Sequence, residues 1–454
     1  MYRNLIATFA TGLSRPSTLV DYYYLEWLQK QPKSKILEVK ERNLKKILYY
    51  AYENTEYYNN ILHPYRKIWS KNSFDWDAFS EIPFLNKEII RENYEHLISR
   101  NSHKYKTYIQ KSGGSTGIPT QHLHEKNLRV FDQSNNMLFK SWGGCLIGDK
   151  MLIISAQEIE NYSSPKSIPL RMSNYIFNKN YINLFDFSLD KVEQIVNYIN
   201  SEKPKIIQLY ANAAYQIAQA INSQGYRITS PPSMLMCIAG TIQKDKISLV
   251  EKAFSAPMFS RYGSRETGDM MGFCCDRVYH EIPNTHHIEI INNPKYQLSD
   301  NIGDISVTTL KNRAMPVIRY KIGDVGVIDG SVCNCGCNFN IISNIEGRAG
   351  DVIVNKSGKM FMPEVFVHLI GVIAADESNA IYKFQVVQKS LDLIVLKIVL
   401  LDNETLDSTK VENIIEMIKI VYVDPLNVEI CYVNDIPNLK NGKYSYVTSL
   451  LNNE

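Results

Sequence analysis

Several features are scarce in this chain of 454 residues, and each scarcity excludes a class of protein. No apolar run approaches the roughly 20 residues that a membrane-spanning helix needs. The formal net charge is only +3, from 50 Lys and Arg against 47 Asp and Glu, so a nucleic-acid partner is not expected. Internal repeats and low-complexity tracts are missing. The remaining class is a globular protein with a large core and at least one further domain.

The N-terminal segment, Met1–Leu13, resembles a secretory signal peptide only weakly. Thr8 and Thr11 interrupt its short apolar run, and no convincing small-residue cleavage site follows. We therefore interpret it as mature sequence and expect a cytoplasmic protein. A shallow contact of this segment with a membrane surface is left open.

The first hundred residues have helical periodicity, shown by Leu44, Ile47, Leu48 and Ala51. From about residue 105 to 330, short apolar runs alternate with helical stretches, which predicts an α/β architecture. After residue 289 strands follow one another without long helices, which predicts a smaller, more irregular sheet. The predicted strands are 150–155, 205–210 and 234–239, and the predicted helices are 190–200 and 211–223.

A domain boundary is predicted near residues 347–351, where two glycines permit unusual backbone angles. Beyond it the pattern reads strand, strand, helix, strand, over 383–388, 393–401, 409–420 and 427–433. The helix is predicted to begin with a capping box formed by Thr409 and Glu412. The expected domains are therefore 1–348 and 349–454, the second a compact α+β module.

The segment Lys111-Ser-Gly-Gly-Ser-Thr-Gly-Ile-Pro-Thr120 is the most informative in the chain. Its glycines let successive backbone amides point at one place, and its hydroxyls add donors, which suits anionic oxygens. The Gly-Lys-Ser/Thr of a Walker A loop is absent. The pattern therefore indicates a phosphate loop of another kind, and a flexible Gly/Ser hairpin is the alternative.

At this loop the chain resembles the adenylate-forming enzyme superfamily. Within it, the similarity is to the phenylacetate–CoA ligase-like branch, which includes CapK-type proteins of capsular polysaccharide biosynthesis. Further segments match that superfamily's motifs in the expected order, and the resemblance spans nearly the whole chain. They are Arg261–Gly268 for the nucleotide motif, Arg319–Asp324 for the ribose motif, Gly347–Asp351 for the hinge and Ile436–Lys443 near the C-terminus, with Leu44–Tyr58 and Ile82–Lys87 typical of the branch.

The resemblance implies an α/β fold with a large N-terminal adenylate-forming domain, a helical lead-in and a small mobile α+β C-terminal lid. It implies an ATP-dependent ligase that activates a carboxylic acid as acyl-AMP and transfers it to a thiol, either CoA or a carrier protein. An amide-forming ligase that uses an amine acceptor in capsule or O-antigen biosynthesis is the alternative. A non-catalytic nucleotide-binding homologue is a third reading, against which the intact Glu266, Asp324 and Lys443 speak.

The resemblance also assigns roles to individual residues. Glu266 would hold Mg²⁺, since a hard cation prefers carboxylate oxygen, with a surface ion pair as the alternative. Lys443 would bridge the carboxylate and the α-phosphate in the adenylation step, with Lys440 as its fallback. Asp351 would be the hinge. Asp324 would bind the ribose, with a turn residue after Gly323 as the alternative, and Arg348 would contact the ribose or a phosphate. Tyr262 would lie near the adenine or in the core. The other nucleotide contacts would come from Gly263 and Thr267 in the nucleotide motif and, at the β- and γ-phosphates, from Ser112, Gly113, Gly114, Ser115, Thr116 and Gly117.

Eight cysteines include the cluster Cys333-Asn-Cys335-Gly-Cys337 and the neighbours Cys274 and Cys275. Such tight spacing suits a metal better than a disulfide framework. Members of the branch carry Cys…His…Cys-x-Cys at the matching place, which implies a structural zinc. The expected ligands are Cys274 (or Cys275), His280, Cys333 and Cys335, and reduced, metal-free cysteines are the alternative. His286 and His287, which follow closely, are expected on a strand, and a place facing the acyl pocket is the alternative.

Overall fold

The structure is a computed structural model, and the description below covers only part of the chain. The described residues are 2–70, 73–111, 120–155, 168–184, 189–238, 244–292, 302–328, 330–348, 353–357, 360–361, 366, 370, 381–400, 405–422, 424–437, 445 and 447–451.

The first hundred residues form the predicted helical lead-in. Its longest helix, α3 (Lys33–Asn54), buries Leu44, Ile47, Leu48 and Ala51 at helical spacing, as the periodicity indicated. The helices of this region are α1 (Tyr2–Ser14), α2 (Pro16–Leu28), α3, α4 (Glu56–Leu62), α5 (Lys67–Ser70), α6 (Trp76–Ser80), α7 (Lys87–Glu92) and α8 (Tyr94–Leu97), with short 3₁₀ turns at His63–Tyr65 and Ser102–Lys104.

A large sheet follows, and it confirms the α/β class. Its parallel part has the order β7-β6-β5-β3-β4, and β8, β9 and β13 continue it in antiparallel fashion beyond β7. The strands are β3 (Met151–Ser155), β4 (Lys179–Asn183), β5 (Ile206–Tyr210), β6 (Met234–Ile238), β7 (Met258–Ser264), β8 (Gly268–Phe273), β9 (Tyr279–Glu281) and β13 (Ile341–Ile342).

Helices connect these strands, as expected for parallel pairs, whose ends lie at opposite edges of the sheet. The predicted strands and helices of this region are confirmed to within two residues at the described ends. The connecting helices are α10 (Ile168–Ile176), α11 (Leu189–Glu202), α12 (Ala211–Gln224) and α13 (Lys244–Phe254), and α9 (Leu128–Trp142) precedes β3.

Smaller sheets complete this part of the chain. A hairpin pairs β1 (Thr107–Lys111) with β2 (Gln121–Glu125) on either side of the predicted phosphate loop. The strands after residue 289 form a sheet without long helices, as predicted. Its order is β10 (His286–Asn292), β11 (Ile302–Thr309), β12 (Tyr320–Val327) and β14 (Asn344–Arg348).

The C-terminal residues form a sheet of order β19-β18-β17-β20, and α14 (Ser408–Tyr422) contributes Ile414 and Ile418 to its apolar core. The predicted capping box was wrong. Asp407 occupies the cap, because its carbonyl accepts the N–H of Val411 at 3.1 Å and its carboxylate accepts that of Thr409 at 3.4 Å. The strands are β15 (Ile353–Val354), β16 (Met360–Phe361), β17 (Ile381–Ser390), β18 (Leu393–Leu400), β19 (Asn427–Tyr432) and β20 (Val447–Ser449).

By compactness the chain divides into a first unit, residues 1–289, 306–321 and 330–343, and a second unit, residues 290–305, 322–329 and 344–454. The predicted boundary after residue 348 stays a prediction. Among the described residues, no helix combines the length and apolar character needed to cross a membrane.

Candidate active site and metal centre

The predicted nucleotide motif is the turn between β7 and β8, at the carboxyl end of the last parallel strand. Ligands of open α/β sheets bind at this edge. Two glycines shape the turn. A Cβ on Gly263 would lie 2.5 Å from the carbonyl oxygen of Gly268, and Gly268 itself has φ +84°. The chain therefore needs glycine at both positions to present the residues between them.

Glu266 lies at the tip of this turn and is almost fully buried. Its Oε1 is 3.9 Å from Nζ of Lys87, the last residue of the Ile-Pro-x-Leu-x-Lys segment. Ser264 stabilises the turn, because its hydroxyl accepts the N–H groups of Glu266 at 3.1 Å and Thr267 at 3.2 Å. A carboxylate held this way beside a cation suits Mg²⁺ and phosphate chemistry.

Buried histidines hold the backbone of the same turn. His124 Nε2 donates to the Glu266 carbonyl at 3.1 Å, and His286 Nε2 donates to the Thr267 carbonyl at 2.8 Å. The Thr285 hydroxyl lies 2.9 Å from the other ring nitrogen of His286. Burial lowers the pKa of His286 to about 4 and also lowers that of His124. Both rings are therefore neutral near pH 7, as donation from one nitrogen and acceptance at the other require.

His122 adds a third buried ring on β2, beside His124. Neither of its ring nitrogens has a hydrogen-bond partner among the described residues, and burial lowers its pKa to about 4. The sequence patterns missed His122 and His124. The only available signal was the His-x-His alternation on a strand directly after the phosphate loop.

The remaining residues of the nucleotide motif make contacts of different kinds. The Thr267 hydroxyl lies 3.0 Å from that of Ser264, inside the turn. The Tyr262 ring is half-buried and packs edge-on against Tyr279, with centroids 6.4 Å apart. His286 and His287 both lie on strand β10, as expected. The nucleotide roles of Tyr262, Gly263 and Thr267 stay predictions.

Arg319, the first residue of the ribose motif, anchors that motif to the helical lead-in. Its guanidinium donates to both carboxylate oxygens of Glu289, at 3.1 and 3.0 Å, and to the carbonyls of Ser80 and Ile82. Leu85 N–H donates to the Arg319 carbonyl at 3.0 Å. Two segments that carried the resemblance, 82–87 and 319–324, are thus joined directly.

The two predicted ribose residues lie on paired strands of the second unit. The backbone register of β12 and β14 places Asp324 opposite Arg348, with an irregularity immediately after Asp324. The other predicted nucleotide residues lie outside the described residues, namely Ser112, Gly113, Gly114, Ser115, Thr116, Gly117, Asp351, Lys440 and Lys443.

The four expected zinc ligands come together in the first unit. Cys274, His280, Cys333 and Cys335 place one ligand atom each within 4.8 Å of all the others. His280 Nε2 is 3.3 Å from Sγ of both Cys333 and Cys335, and the Sγ atoms of Cys274 and Cys333 are 3.5 Å apart. Ligands of a tetrahedral zinc lie roughly 3.5 Å apart, given their bond lengths.

The surroundings of this quartet also fit a structural metal. Nδ1 of His280 is 3.3 Å from the Phe339 carbonyl, which fixes the tautomer and leaves Nε2 free as a ligand. Hydrogen bonding from Cys274, with His280 and Cys333, lowers the pKa of the Cys335 thiol to about 4, whereas the pKa values of the Cys274 and Cys333 thiols are raised. These contacts therefore favour the metal-binding thiolate at Cys335.

Two neighbouring cysteines stand apart from the quartet. Cys275 is exposed and its Sγ faces Asp276. Cys337 is buried in the apolar core. The structure therefore favours Cys274 over Cys275 and leaves Cys337 spare.

Comparison with known proteins finds relatives of the kind that the sequence motifs predicted. Residues 353–450 match the CapK C-terminal domain family. The chain is 21% identical to Protein CapK of Staphylococcus aureus, covering 98% of this chain and 96% of that protein. It is 22% identical to the phenylacetate-coenzyme A ligase of Thermus thermophilus, covering 77% and 78%. A crystal structure of 2-hydroxyisobutyryl-CoA ligase, in the postadenylation state with 2-HIB-AMP, superposes with a TM-score of 0.69 at 13% identity, covering 93% and 91%.

The chain has the fold of the adenylate-forming ligases, with a large N-terminal domain and a C-terminal domain. Its sequence is similar to Protein CapK and to a phenylacetate-coenzyme A ligase, and residues 353–450 match the CapK C-terminal domain family. The resemblance predicted from the motifs is thereby confirmed.

Proposed function

We propose that this protein is an ATP-dependent, AMP-forming ligase that activates a carboxylic acid as its acyl-adenylate. The observation that carries the proposal is the buried Glu266 carboxylate, which a glycine-shaped turn presents at the carboxyl end of β7. A carboxylate buried there is costly to the fold unless it faces cations. Lys87 supplies one cation and bound Mg²⁺ would supply a second, larger charge that neutralises the triphosphate.

Each remaining residue then has a task in the first half-reaction. Ser112, Ser115 and Thr116, with the glycine amides beside them, would hold the β- and γ-phosphates. Lys443 would hold the attacking carboxylate and the α-phosphate together while pyrophosphate leaves. Asp324 would accept hydrogen bonds from the ribose hydroxyls, with Arg348 beside it.

Residues 349–454 would serve as the lid, with Asp351 as its hinge. Adenylation and acyl transfer place different demands on the site, so a lid must present different faces in turn. We expect Asp351→Pro to spare acyl-AMP formation and to impair transfer to the acceptor. Equal loss of both half-reactions would exclude the hinge role.

We place a thiol first as the acceptor, because the phenylacetate-coenzyme A ligase relative is named for thioester formation. The second candidate is an amine, giving an amide. The CapK-like relative, matched over 98% of this chain, favours it through the link between that type and polysaccharide biosynthesis. CoA, a carrier-protein thiol, amino acids and amino sugars are the acceptors to compare.

ATP–pyrophosphate exchange tests the proposal directly. Aryl, fatty, amino and sugar acids would be screened, and positive acids then tested with CoA and with amines. Lys443→Ala should reduce exchange about a hundredfold or more, since losing one preorganised charge contact costs about that much. Lys419→Ala, which removes an exposed lysine from α14, is the matched control and should retain exchange. A loss in Lys440→Ala instead of Lys443→Ala would move the role to the fallback lysine. No exchange with any acid class, from folded protein that binds ATP, would favour the non-catalytic reading.

We also propose that Cys274, His280, Cys333 and Cys335 hold a structural Zn²⁺. When bound, the ion would supply a closed tetrahedral cross-link between the segment after β8, strand β9 and the loop before β13. Protein purified without a histidine tag should contain about one zinc per chain by mass spectrometric metal analysis.

A further inference from the structure

Helix α1 turns its small side chains towards the protein and its large apolar side chains outwards, the reverse of an ordinary surface helix. It buries Ala7 and Thr11, whereas Leu5, Phe9 and Leu13 are 63%, 69% and 72% exposed. These three residues follow one another at intervals of four and so form one stripe of the helix. A surface helix ordinarily buries its large apolar stripe against the core, so this stripe is available to something outside the chain.

Close packing fixes α1 in this orientation. Gly148 lies directly under it, and a Cβ at that position would be 2.8 Å from Cβ of Ala7 and 2.9 Å from the Arg3 carbonyl oxygen. Asn4 donates a hydrogen bond to the Asp149 carboxylate at 2.7 Å. Because only small side chains fit this contact, Leu5 and Phe9 cannot take the inner positions without separating the helix from the protein.

Helix α10 repeats the pattern beside α1. Ile168, Met172 and Tyr175 lie on one face of it and are each more than half exposed. The two helices touch, since the Arg3 guanidinium lies 5.2 Å from the centroid of the Tyr175 ring and donates to Asn178 at 2.8 Å. The two apolar stripes therefore belong to neighbouring helices of one surface. Exposed apolar patches of this kind mark interaction sites.

Charge narrows the choice of partner. Residues 2–20 and 168–176 contain Arg3, Arg15 and Arg171 but no Asp or Glu. A second copy of the chain, docked by a twofold axis, would set these cations against the same cations. An anionic surface with an apolar interior suits both the stripes and the cations.

We propose that α1 and α10 together form a docking site for the surface of an anionic lipid bilayer. The apolar stripes enter the boundary between headgroups and acyl chains, and the arginines pair with lipid phosphates. This is a peripheral contact in the plane of the membrane. It does not depend on the activity proposed above.

Co-sedimentation of the full chain with lipid vesicles tests the proposal. The vesicles would contain phosphatidylcholine alone or phosphatidylcholine with about 30% phosphatidylglycerol. We expect binding to the anionic vesicles that weakens as salt rises from about 0.05 to about 0.5 M. The triple variant Leu5→Gln, Phe9→Gln, Leu13→Gln should lower the bound fraction at least about tenfold, because binding scales with buried apolar area.

Matched variants distinguish binding at this surface from non-specific binding through exposed apolar residues elsewhere. Ile420→Gln removes an exposed apolar residue from α14 and should bind like the unmodified chain. Arg15→Gln should weaken binding to anionic vesicles only. Circular dichroism establishes that each variant is folded.

Three results would overturn the proposal. The first is a failure to bind anionic vesicles. The second is binding that the triple variant does not reduce, or binding that is equally strong to vesicles of phosphatidylcholine alone. The third is a dimer in solution that the triple variant dissociates, without vesicle binding, which would assign the surface to a second copy of the chain.

Discussion

The buried ion pair between Lys40 and Glu281 offers the sharpest test of how the first unit is held together. Lys40 on α3 places Nζ 2.6 Å from Oε2 of Glu281 on β9, and both side chains are almost inaccessible. The carboxylate also accepts the Ile288 N–H at 3.0 Å and the Asn340 amide at 3.1 Å. Burial is the largest single influence and raises the pKa of Glu281, but the charges and hydrogen bonds of Lys40 and His287 together outweigh it and bring that pKa to about 2.

Lys40→Met should destabilise the first unit strongly, because it leaves this carboxylate buried without its cationic partner. Removing one partner of a buried pair costs about 3–5 kcal/mol, and a pKa depressed from 4.5 to about 2 corresponds to about 3 kcal/mol. The double variant Lys40→Met, Glu281→Gln should recover much of the loss, since it removes both charges. Lys35→Met breaks the exposed pair with Glu38 on the same helix and should cost at most about 1 kcal/mol.

Urea unfolding followed by tryptophan fluorescence is the assay. All four tryptophans lie within residues 1–289, so the signal reports on the first unit. In the unmodified chain the contribution of Glu281 is fully present above pH 4.5 and is lost as the pH falls towards 2. The gap between that chain and Lys40→Met should therefore narrow below pH 4.5. A loss below about 1 kcal/mol in Lys40→Met, or a double variant less stable than the single, would refute the reasoning.

Three further predictions concern the site. Cys274→Ser should lose zinc and stability whereas Cys275→Ser, the adjacent control, should keep both, and equal metal content in the two would exclude the assigned quartet. Glu266→Gln should reduce ATP–pyrophosphate exchange by at least about a hundredfold in folded protein, and exchange close to that of the unmodified chain would contradict its role. His286 has a pKa of about 4 in the folded chain and 6.5 in the unfolded chain. The free energy of unfolding should therefore fall by about 1.4 kcal/mol per pH unit as the pH decreases from 6.5 to 4. His286→Gln should reduce this slope in urea unfolding.

The sequence predicted features that depend on local spacing or on matched motifs. The Cys-x-Cys pair and the strand alternation are of this kind, and the structure contains the quartet and the strands where they were expected. The pairing of Asp324 with Arg348 depends on the register of two strands that are distant in sequence, which no local pattern fixes. The predicted N-cap of α14 lies two residues after the actual one, because Asp407, Ser408 and Thr409 are all capable N-caps.

Tertiary packing decided the features that the sequence could not supply. The periodicity of α1 shows an amphipathic helix, but only the contact with Gly148 shows that the small side faces inward. His124 and His286 gave no catalytic signal because each lies on a strand, and their importance comes from two carbonyls far away in the sequence. Such long-range hydrogen bonds depend on the assembled fold.

The four candidate metal ligands and the predicted nucleotide turn lie at the two ends of one pair of strands. Strand β8 runs from Gly268, which closes the turn, to Phe273, and Cys274 follows it directly. Strand β9 returns beside β8 with His280 opposite Gly272, and the chain then reaches His286, whose ring holds the Thr267 carbonyl of the same turn. A metal that fixes Cys274 to His280 would thus fix both strands that support Glu266. It follows that a zinc-free variant which stays folded should lose acyl-adenylate formation through a looser turn, although no metal ligand touches the nucleotide motif.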